Sequence, residues 1–138
     1  MPLVQIDLRK STSPHHAERV GEAVHRAMVD AIGIPEDDHF QIITEHEDAG
    51  LVYDRSFLGI ERTDGFVIIQ ITLAEGRTRD QKKKLYKQIS DTLSDELDIR
   101  PEDVFVGLLE VSVENFSFGN GEAQYADRVP PHLQQAAG

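Results

Sequence analysis

The chain repeats a residue pattern at an offset of 65 positions, and this repeat limits the possible folds more than any other feature. At this offset, residues 3–6 (LVQI) fall on residues 68–71 (IIQI) without a gap. The apolar residues that follow also coincide: Val20 with Leu85, Val24 with Ile89, Met28 with Leu93, and Ile32 with Leu97. One register therefore preserves both a strand pattern and a helix pattern, which indicates two related halves.

Each half has the pattern of a strand, a helix and a second strand. Residues 3–8 alternate apolar and polar side chains, as a half-buried strand does, and residues 67–73 are more continuously apolar. After the helical spacing in each half, second strands are predicted at residues 40–44 and 104–111. The order of the elements is thus β-α-β, twice.

Residues at the expected helix ends match known capping patterns. Ser13 is predicted to cap the first helix, with Pro14 at its first helical position, where a missing N–H costs nothing. Thr78 and Gln81 have the spacing of a capping box for the second helix. Gly33 is expected to end the first helix as a C-terminal cap.

Two β-α-β units predict an α+β fold with a four-stranded sheet and both helices on one face. Each unit makes a right-handed crossover between parallel strands. The second sheet face would then lack a cover, and we expect apolar residues such as Val4, Ile69 and Leu108 to be poorly covered in a single copy. An oligomer that packs these sheets together is the physical expectation.

The length of 138 residues fits one domain. The segment 47–65 joins the halves and is interpreted as a loop with a short hairpin, because it contains glycines and a turn signal. The tail from Val129 is expected to lie on a neighbouring subunit or to be disordered. The predicted organisation is a single domain over 1–138, with pseudo-repeats at about 2–46 and 66–112 and a C-terminal segment at 113–138.

Composition excludes several classes of function. The formal net charge is -11, which repels a phosphate backbone, so nucleic acid is not an expected partner. No apolar run is long enough to span a bilayer, and the start lacks the layout of a signal peptide, so we expect no membrane partner and a cytoplasmic location. The chain has no cysteine, and its six histidines show no metal-binding spacing.

Pro2 and Arg77 are the first two candidates for chemistry. Removal of Met1 would leave Pro2 with a free secondary amine, which is a base and nucleophile when neutral and an acid when protonated. Arg77 comes directly before the cap of the second helix, where a guanidinium and the free N–H groups can hold a carboxylate. The alternatives are an ordinary Met-Pro start and a surface arginine paired with Glu75 or Asp80.

Asp38 and an aromatic cluster complete the candidates. Asp38 precedes the second strand and is either a turn carboxylate or a group that raises the pKa of the Pro2 amine or orients a water. Its repeat mate, Asp103, favours the turn role. The glycine-rich segment after the last strand could form the apolar wall of a pocket or a subunit contact, through Phe116, Phe118 and Tyr125.

These features together resemble the tautomerase superfamily, and in particular the malonate semialdehyde decarboxylase family. The resemblance covers roughly residues 2 to 127. It rests on the Met-Pro start, the repeat, the placed arginine, and the segments Ala27-Met28-Val29, Gly33-Ile34-Pro35, Asp38, Asp80-Gln81-Lys82 and Ser117-Phe118-Gly119.

The resemblance implies a homotrimer without a cofactor, whose sites form between subunits and act on a small carboxylate. By motif, the catalytic residues would be Pro2, Asp38 and Arg77, and Arg77 would also bind the substrate carboxylate. The substrate-binding aromatic residues would be Phe116, Phe118 and Tyr125. A cationic proline in this family polarises the β-carbonyl of a 3-oxo acid while CO2 leaves, and it can activate unsaturated acids toward water.

Three positions depart from the family pattern. Glu75 stands where some members have a second arginine, Phe116 stands for a tryptophan, and Val29 stands for the catalytic histidine of the sister dehalogenases. Three hypotheses therefore remain: a decarboxylase and hydratase with a cationic Pro2, a keto–enol tautomerase of 2-oxo acids with a neutral Pro2, and a non-catalytic oligomer that binds a small acid.

Overall fold

A computed structural model describes residues 2–131 of the chain. The expected loss of Met1 and the end of the expected C-terminal tail lie outside these described residues. The principal elements, in chain order, are β1 (Leu3–Arg9), α1 (His16–Ile32), β2 (Gln41–His46), β3 (Val67–Ala74), α2 (Arg79–Leu97) and β4 (Val104–Val111).

The four strands form one mixed sheet in the order β2-β1-β3-β4. β1 is parallel to β2, β3 is parallel to β4, and the two central strands are antiparallel, with Ile6 opposite Ile69. Each half of the repeat is thus a parallel β-α-β unit, and the units join along β1 and β3. This arrangement confirms the predicted α+β fold with four strands and two helices.

One face of the sheet packs on both helices and forms the core. Every second residue of β1, Val4, Ile6 and Leu8, is buried there, and β3 contributes Ile69 and Ile71. The helices contribute the residues that the repeat had aligned, which are Val20, Val24 and Met28 from α1 and Leu85, Ile89 and Leu93 from α2. The two helices therefore cover this face together.

The opposite face of the sheet, which we call the open face, carries different residues from those expected. Val4 and Ile69 are fully buried against the helices, and Leu108 packs at the margin of that core. The expectation that these residues would be poorly covered was wrong, because strand alternation shows that two faces differ but does not say which face meets the helices. The exposed apolar residues on the open face are Leu3, Ile42, Phe105 and Leu109.

Two of the three predicted helix caps are confirmed. Thr78 and Gln81 form a reciprocal capping box, and Gly33 ends α1 in the left-handed conformation, with φ at 68°. The Ser13 cap was wrong, because α1 begins only at His16, after a left-handed His15. The N–H of Ser13 instead donates to Ser11 Oγ at 3.0 Å, and such local bonds compete with helix formation.

The predicted hairpin between the two halves does not form. Its place is taken by two single helical turns, Asp48–Gly50 and Phe57–Gly59. The Arg62 N–H also donates to the Arg55 carbonyl, which spans the second turn. The Arg62 guanidinium donates to three loop carbonyls within 3.3 Å, those of Asp54, Phe57 and Ile60. One side chain thus ties the second helical turn to the chain on both sides of it.

Candidate functional site

The topology brings four segment ends to one edge of the sheet. β1 is parallel to β2, β3 is parallel to β4, and the two pairs run in opposite directions. The amino ends of β1 and β2 therefore lie at the same end of the sheet as the carboxyl ends of β3 and β4. Pro2 precedes β1, Asp38 precedes β2, Arg77 follows β3, and the aromatic segment follows β4. The sequence-predicted site residues therefore lie at the same edge.

Pro2 is buried and lines a small cavity at this edge. The cavity has a volume of about 240 Å³ and is mainly apolar. Two of the predicted aromatic residues belong to it, and Phe40, which the sequence did not single out, adds a third ring. Its lining residues are Pro2, Leu3, Phe40, Phe116, Ser117 and Phe118. The position of Phe40 directly before β2 is the signal that could have identified it.

Three aromatic rings form a continuous wall after β4. Phe116 stacks on Phe118 with ring centres 5.5 Å apart, and Phe118 contacts Tyr125 edge-to-face at 4.9 Å. The amide side chain of Gln124 accepts from Phe118 N–H and donates to the Gly119 carbonyl, which fixes the segment. The predicted cluster thus comes together beside Pro2, with Tyr125 at its outer end.

Arg77 is a buried cation at the mouth of α2. Arg77 is only 7% exposed to solvent, and its Nη1 donates to the Ala74 carbonyl at 3.0 Å. Its Nη2 has no hydrogen-bond partner among the residues that the structure describes. Burial lowers the pKa of Arg77, while the negative charges of Glu110 and Asp38 raise it. The guanidinium therefore keeps one buried nitrogen that no described residue satisfies.

Asp38 is buried close to these groups. Its N–H donates to the Pro35 carbonyl in the turn that leads into β2. Burial raises the pKa of the Asp38 carboxyl, and the positive charges of the amino terminus and His25 lower it. Burial also raises the pKa of Tyr125, and the charge of Asp38 raises it further. Asp38 is thus an electrostatic neighbour of Arg77, Tyr125 and the amino terminus.

Asp103, the repeat mate of Asp38, has a structural role as a carboxylate that holds the local backbone. Asp103 is buried, and its carboxylate accepts hydrogen bonds from the N–H and the hydroxyl of Thr63, at 2.7 and 2.5 Å. This contact ties the end of the connecting loop to the start of β4. It lies at the sheet edge opposite to Arg77, so the two aspartates occupy different environments despite their shared register.

Glu75 is exposed on the chain between β3 and α2. The carboxylates whose charges act on Arg77 are Glu110 and Asp38, so Glu75 is not the group that offsets it. Glu110 also accepts from Lys82 Nζ at 2.6 Å, which links the end of β4 to the first turns of α2. Sequence analysis missed this pair because the partners lie 28 positions apart.

Within residues 2–131, no three histidine, aspartate or glutamate side chains come together as a group that could bind a metal ion. Likewise, no helix in that range is both long and apolar enough to cross a membrane.

Comparison with models of known protein families identifies the family of the chain. Two family models that are both described as tautomerase enzyme match it, one over residues 38–119 and the other over residues 2–57. The chain belongs to the tautomerase family. It is accordingly an enzyme of this superfamily, and the matched ranges contain Pro2, Asp38 and Arg77.

Curated relatives support the same kinship over nearly the whole length. The probable tautomerase YusQ of Bacillus subtilis is 43% identical over 124 residues, which cover 90% of this chain and 98% of the relative. The probable tautomerase YrdN of the same organism is 30% identical over 125 residues, which cover 91% and 96%.

Solved structures of malonate semialdehyde decarboxylases share the fold. One, described for its decarboxylase and hydratase activities, is 32% identical with a TM-score of 0.83, and the match covers 88% of this chain and 94% of that one. Another, inhibited by 3-bromopropiolate, is 33% identical with a TM-score of 0.83, over 89% and 93%. A native fused 4-OT at 21% identity and a TM-score of 0.74, over 91% and 99%, shares the fold.

Proposed function

We propose that this tautomerase-family enzyme is a malonate semialdehyde decarboxylase-like lyase, which acts on a small 3-oxo or unsaturated carboxylic acid and has hydratase activity. The observation that carries the proposal is the buried guanidinium of Arg77, with an Nη2 that lacks a partner among the described residues. A buried donor without a partner is costly, and a substrate carboxylate would satisfy it.

In the proposed mechanism, Pro2 acts as a cationic acid after loss of Met1. The ammonium group polarises the β-carbonyl of the substrate, while Arg77 holds the carboxylate. The bond between the carboxylate carbon and the α-carbon then breaks and CO2 leaves. Its electron pair becomes the double bond between the α- and β-carbons, and the β-carbonyl oxygen takes the Pro2 proton to give the enol. The enol then takes a proton from solvent at its α-carbon and returns its hydroxyl proton to Pro2, which gives the carbonyl product. Asp38, which like Pro2 is buried at this end of the sheet, would favour the cationic form of the proline, because a nearby carboxylate stabilises an ammonium group. The aromatic wall gives the cavity its apolar lining.

A keto–enol tautomerase of 2-oxo acids is the second candidate, favoured by the names of the curated relatives. In that case a neutral Pro2 takes a proton from the carbon next to the ketone and returns it elsewhere. Arg77 and the apolar rings favour the neutral amine, whereas Asp38 favours the cation. A tautomerase loses activity as the pH falls through the Pro2 pKa, and a cation-driven decarboxylase loses it as the pH rises.

We further propose that the enzyme works as a homotrimer whose open sheet faces pack together. Leu109 is 62% exposed and Phe105 is 49% exposed on that face, an unusual amount of apolar surface for one strand of a single copy. Phe40 is half exposed at the rim of the cavity that contains Pro2, so a neighbouring subunit could complete the site. A non-catalytic small-acid-binding oligomer is the outcome if turnover is absent.

The test combines intact mass spectrometry with turnover of two substrates. The mass shows whether Met1 is gone, and malonate semialdehyde and phenylenolpyruvate are assayed for decarboxylation and ketonisation. The protein is then incubated with 2-oxo-3-pentynoate. Hydration of this probe without labelling, together with decarboxylation, supports the cationic mechanism. Addition of one probe mass at Pro2, together with ketonisation, favours the tautomerase instead.

The control is Pro2→Ala, which keeps an amine but makes it primary. We expect it to lower turnover under either catalytic mechanism. Equal turnover by this variant and the wild type would contradict a role for the secondary amine.

A further inference from the structure

Two histidine rings stack beside Asp38, and the function proposed above does not use them. The ring of His25, on α1, lies parallel to the ring of His39, with centres 4.0 Å apart and an angle of 7° between the planes. Nε2 of His25 lies 2.8 Å from the carbonyl oxygen of Glu36. His25 therefore touches the segment that carries Asp38 on both sides of that residue.

The contact with Glu36 fixes which ring nitrogen carries a proton. A carbonyl oxygen only accepts, so Nε2 of His25 donates, and Nδ1 is the nitrogen that gains or loses a proton. Since His25 is only partly buried, its ring can exchange protons with solvent.

The segment held by His25 leads directly into the proposed site. Asp38 is buried at its end, and Phe40, two residues later, lines the cavity with Pro2 and accepts from Val4 N–H at 3.1 Å. A displacement of this segment would therefore move both the carboxylate and one wall of the cavity.

We propose that His25 is a positioning residue for Asp38, which anchors the segment 36–39 to α1 and, when protonated, sustains the ionised carboxylate. The inference deepens the proposed function, because it concerns the carboxylate that is proposed to act on the Pro2 amine. His25 itself lies outside the cavity lining.

The electrostatics agree with this geometry. Burial raises the pKa of Asp38, and the charge of His25 is one of the two positive charges that oppose the rise. The charged groups that act on Asp38, or on which its charge acts, are His25 on α1, Asp37 on the segment, the amino terminus, Arg77 and Tyr125. In sequence, Glu22 lies one turn before His25 on α1, and Glu36 and His39 lie on the segment with Asp38. Of these, Asp37 acts against the ionised carboxylate, so the charge of His25 offsets that of the residue next to Asp38.

Two substitutions separate the contributions of His25. His25→Gln keeps a donor for the Glu36 carbonyl but removes the charge, whereas His25→Phe keeps a stacking ring but removes both the donor and the charge. His15→Asn is the control, because it removes a histidine from the other end of α1, and asparagine accepts the left-handed backbone found there.

The measurement is a pH titration of the Asp38 carboxyl carbon by NMR, accompanied by kcat/KM between pH 5.5 and 8.5. We expect Asp38 to titrate at higher pH in both His25 variants and at the wild-type pH in the control. For His25→Gln, kcat/KM should fall about threefold at pH 6 and change by less than about twofold at pH 8.5, because an imidazole carries the charge that the substitution removes only at the lower pH. His25→Phe should lose activity at both pH values.

Coincident Asp38 titrations in the wild type and both His25 variants would overturn the inference. The titration needs no substrate, so its outcome is independent of the proposed function. If the wild type turns over neither substrate, the proposed function fails, while the titration still decides whether His25 acts on Asp38.

Discussion

At the scale of single residues, the proposed site combines groups that are unfavourable for stability. Arg77 is a buried cation with an incompletely satisfied guanidinium, and Asp38 is a buried carboxylate whose pKa is raised by that burial. Removal of such groups often leaves stability unchanged or improves it, whereas it removes function. Substitutions that remove the charge of Arg77 or Asp38 should therefore lower activity while stability stays the same or increases.

Replacement of Arg77 tests this opposition. For Arg77→Met we expect an unfolding free energy within about 1 kcal/mol of the wild type or higher, because the buried charge is gone while the side-chain volume stays similar. The value of kcat/KM should fall by about 100-fold or more, because the substrate carboxylate loses its cation. Denaturant unfolding and steady-state kinetics measure the two effects.

Arg79→Met is the matched control for that experiment, since Arg79 is exposed at the first residue of α2. It should change neither quantity appreciably. Equal losses of activity in both variants would point to general charge attraction and not to a specific carboxylate contact.

The pH dependence of stability should distinguish Asp38 from its repeat mate. A carboxyl whose pKa is raised in the folded state binds its proton more tightly there, so this group favours folding at low pH and the benefit is lost as the pH rises through the folded pKa. We therefore expect Asp38→Asn to be more stable than the wild type at pH 8, with a difference that shrinks toward pH 4. Thermal unfolding over this range measures it.

Asp103→Ala should instead be less stable than the wild type at pH 8. It removes the buried carboxylate that accepts from the Thr63 N–H, and loss of such a hydrogen bond to a charged group costs about 2 kcal/mol. A stabilised Asp103→Ala, or an Asp38→Asn that loses stability at pH 8, would contradict the different environments described for the two residues.

At the scale of elements, the start of α2 is the part of the fold most directly tied to the site. The capping box places Thr78 and Gln81 so that each accepts from the other's N–H, and Arg77 directly precedes it. The Lys82–Glu110 ion pair then joins the same turns to the end of β4. A well-fixed helix start thus holds the guanidinium in place.

Loss of this cap should weaken both the fold and the site. Thr78→Ala is expected to cost about 1 kcal/mol and to raise KM for a carboxylate substrate, because the first turn of α2 then frays beside Arg77. Ser13→Ala is the control before α1, where the helix has no side-chain cap bond. It should stay within about 0.5 kcal/mol of the wild type. A comparable cost for both variants would show that Ser13 caps α1 after all.

At the scale of the whole molecule, the open face of the sheet has the properties of a subunit interface. The helices cover one face, and the other carries Leu3, Ile42, Phe105 and Leu109 in positions open to solvent. The Asp7 carboxylate and the His46 ring, 2.6 Å apart, add a polar contact on that face. Such a mixture of apolar and paired polar groups is typical of a subunit interface.

A charge on this face should dissociate the proposed trimer. For Leu109→Glu we expect light scattering to give the mass of a smaller species, together with a loss of activity if neighbouring subunits complete the site. The control is Tyr86→Glu, which places the same charge on α2, in the layer on the opposite side of the sheet. A wild-type mass for Leu109→Glu would exclude the open face as the interface.

The sequence by itself determined the elements and their duplication. Periodicity is a local property, so the strands of each half, the helices between them and the capping box at Thr78 followed from spacing alone. The position of Pro2, Asp38 and Arg77 at element ends followed from the same patterns. Their family roles came from a resemblance and stay predictions.

The tertiary structure decided what depends on pairing and on packing direction. The antiparallel junction of β1 and β3 brings four element ends to one edge, and no local pattern encodes that junction. The same holds for which sheet face meets the helices, for the different surroundings of Asp38 and Asp103, and for the stack of His25 on His39. Each requires contacts between residues distant in sequence, and such contacts are fixed only when the whole chain packs.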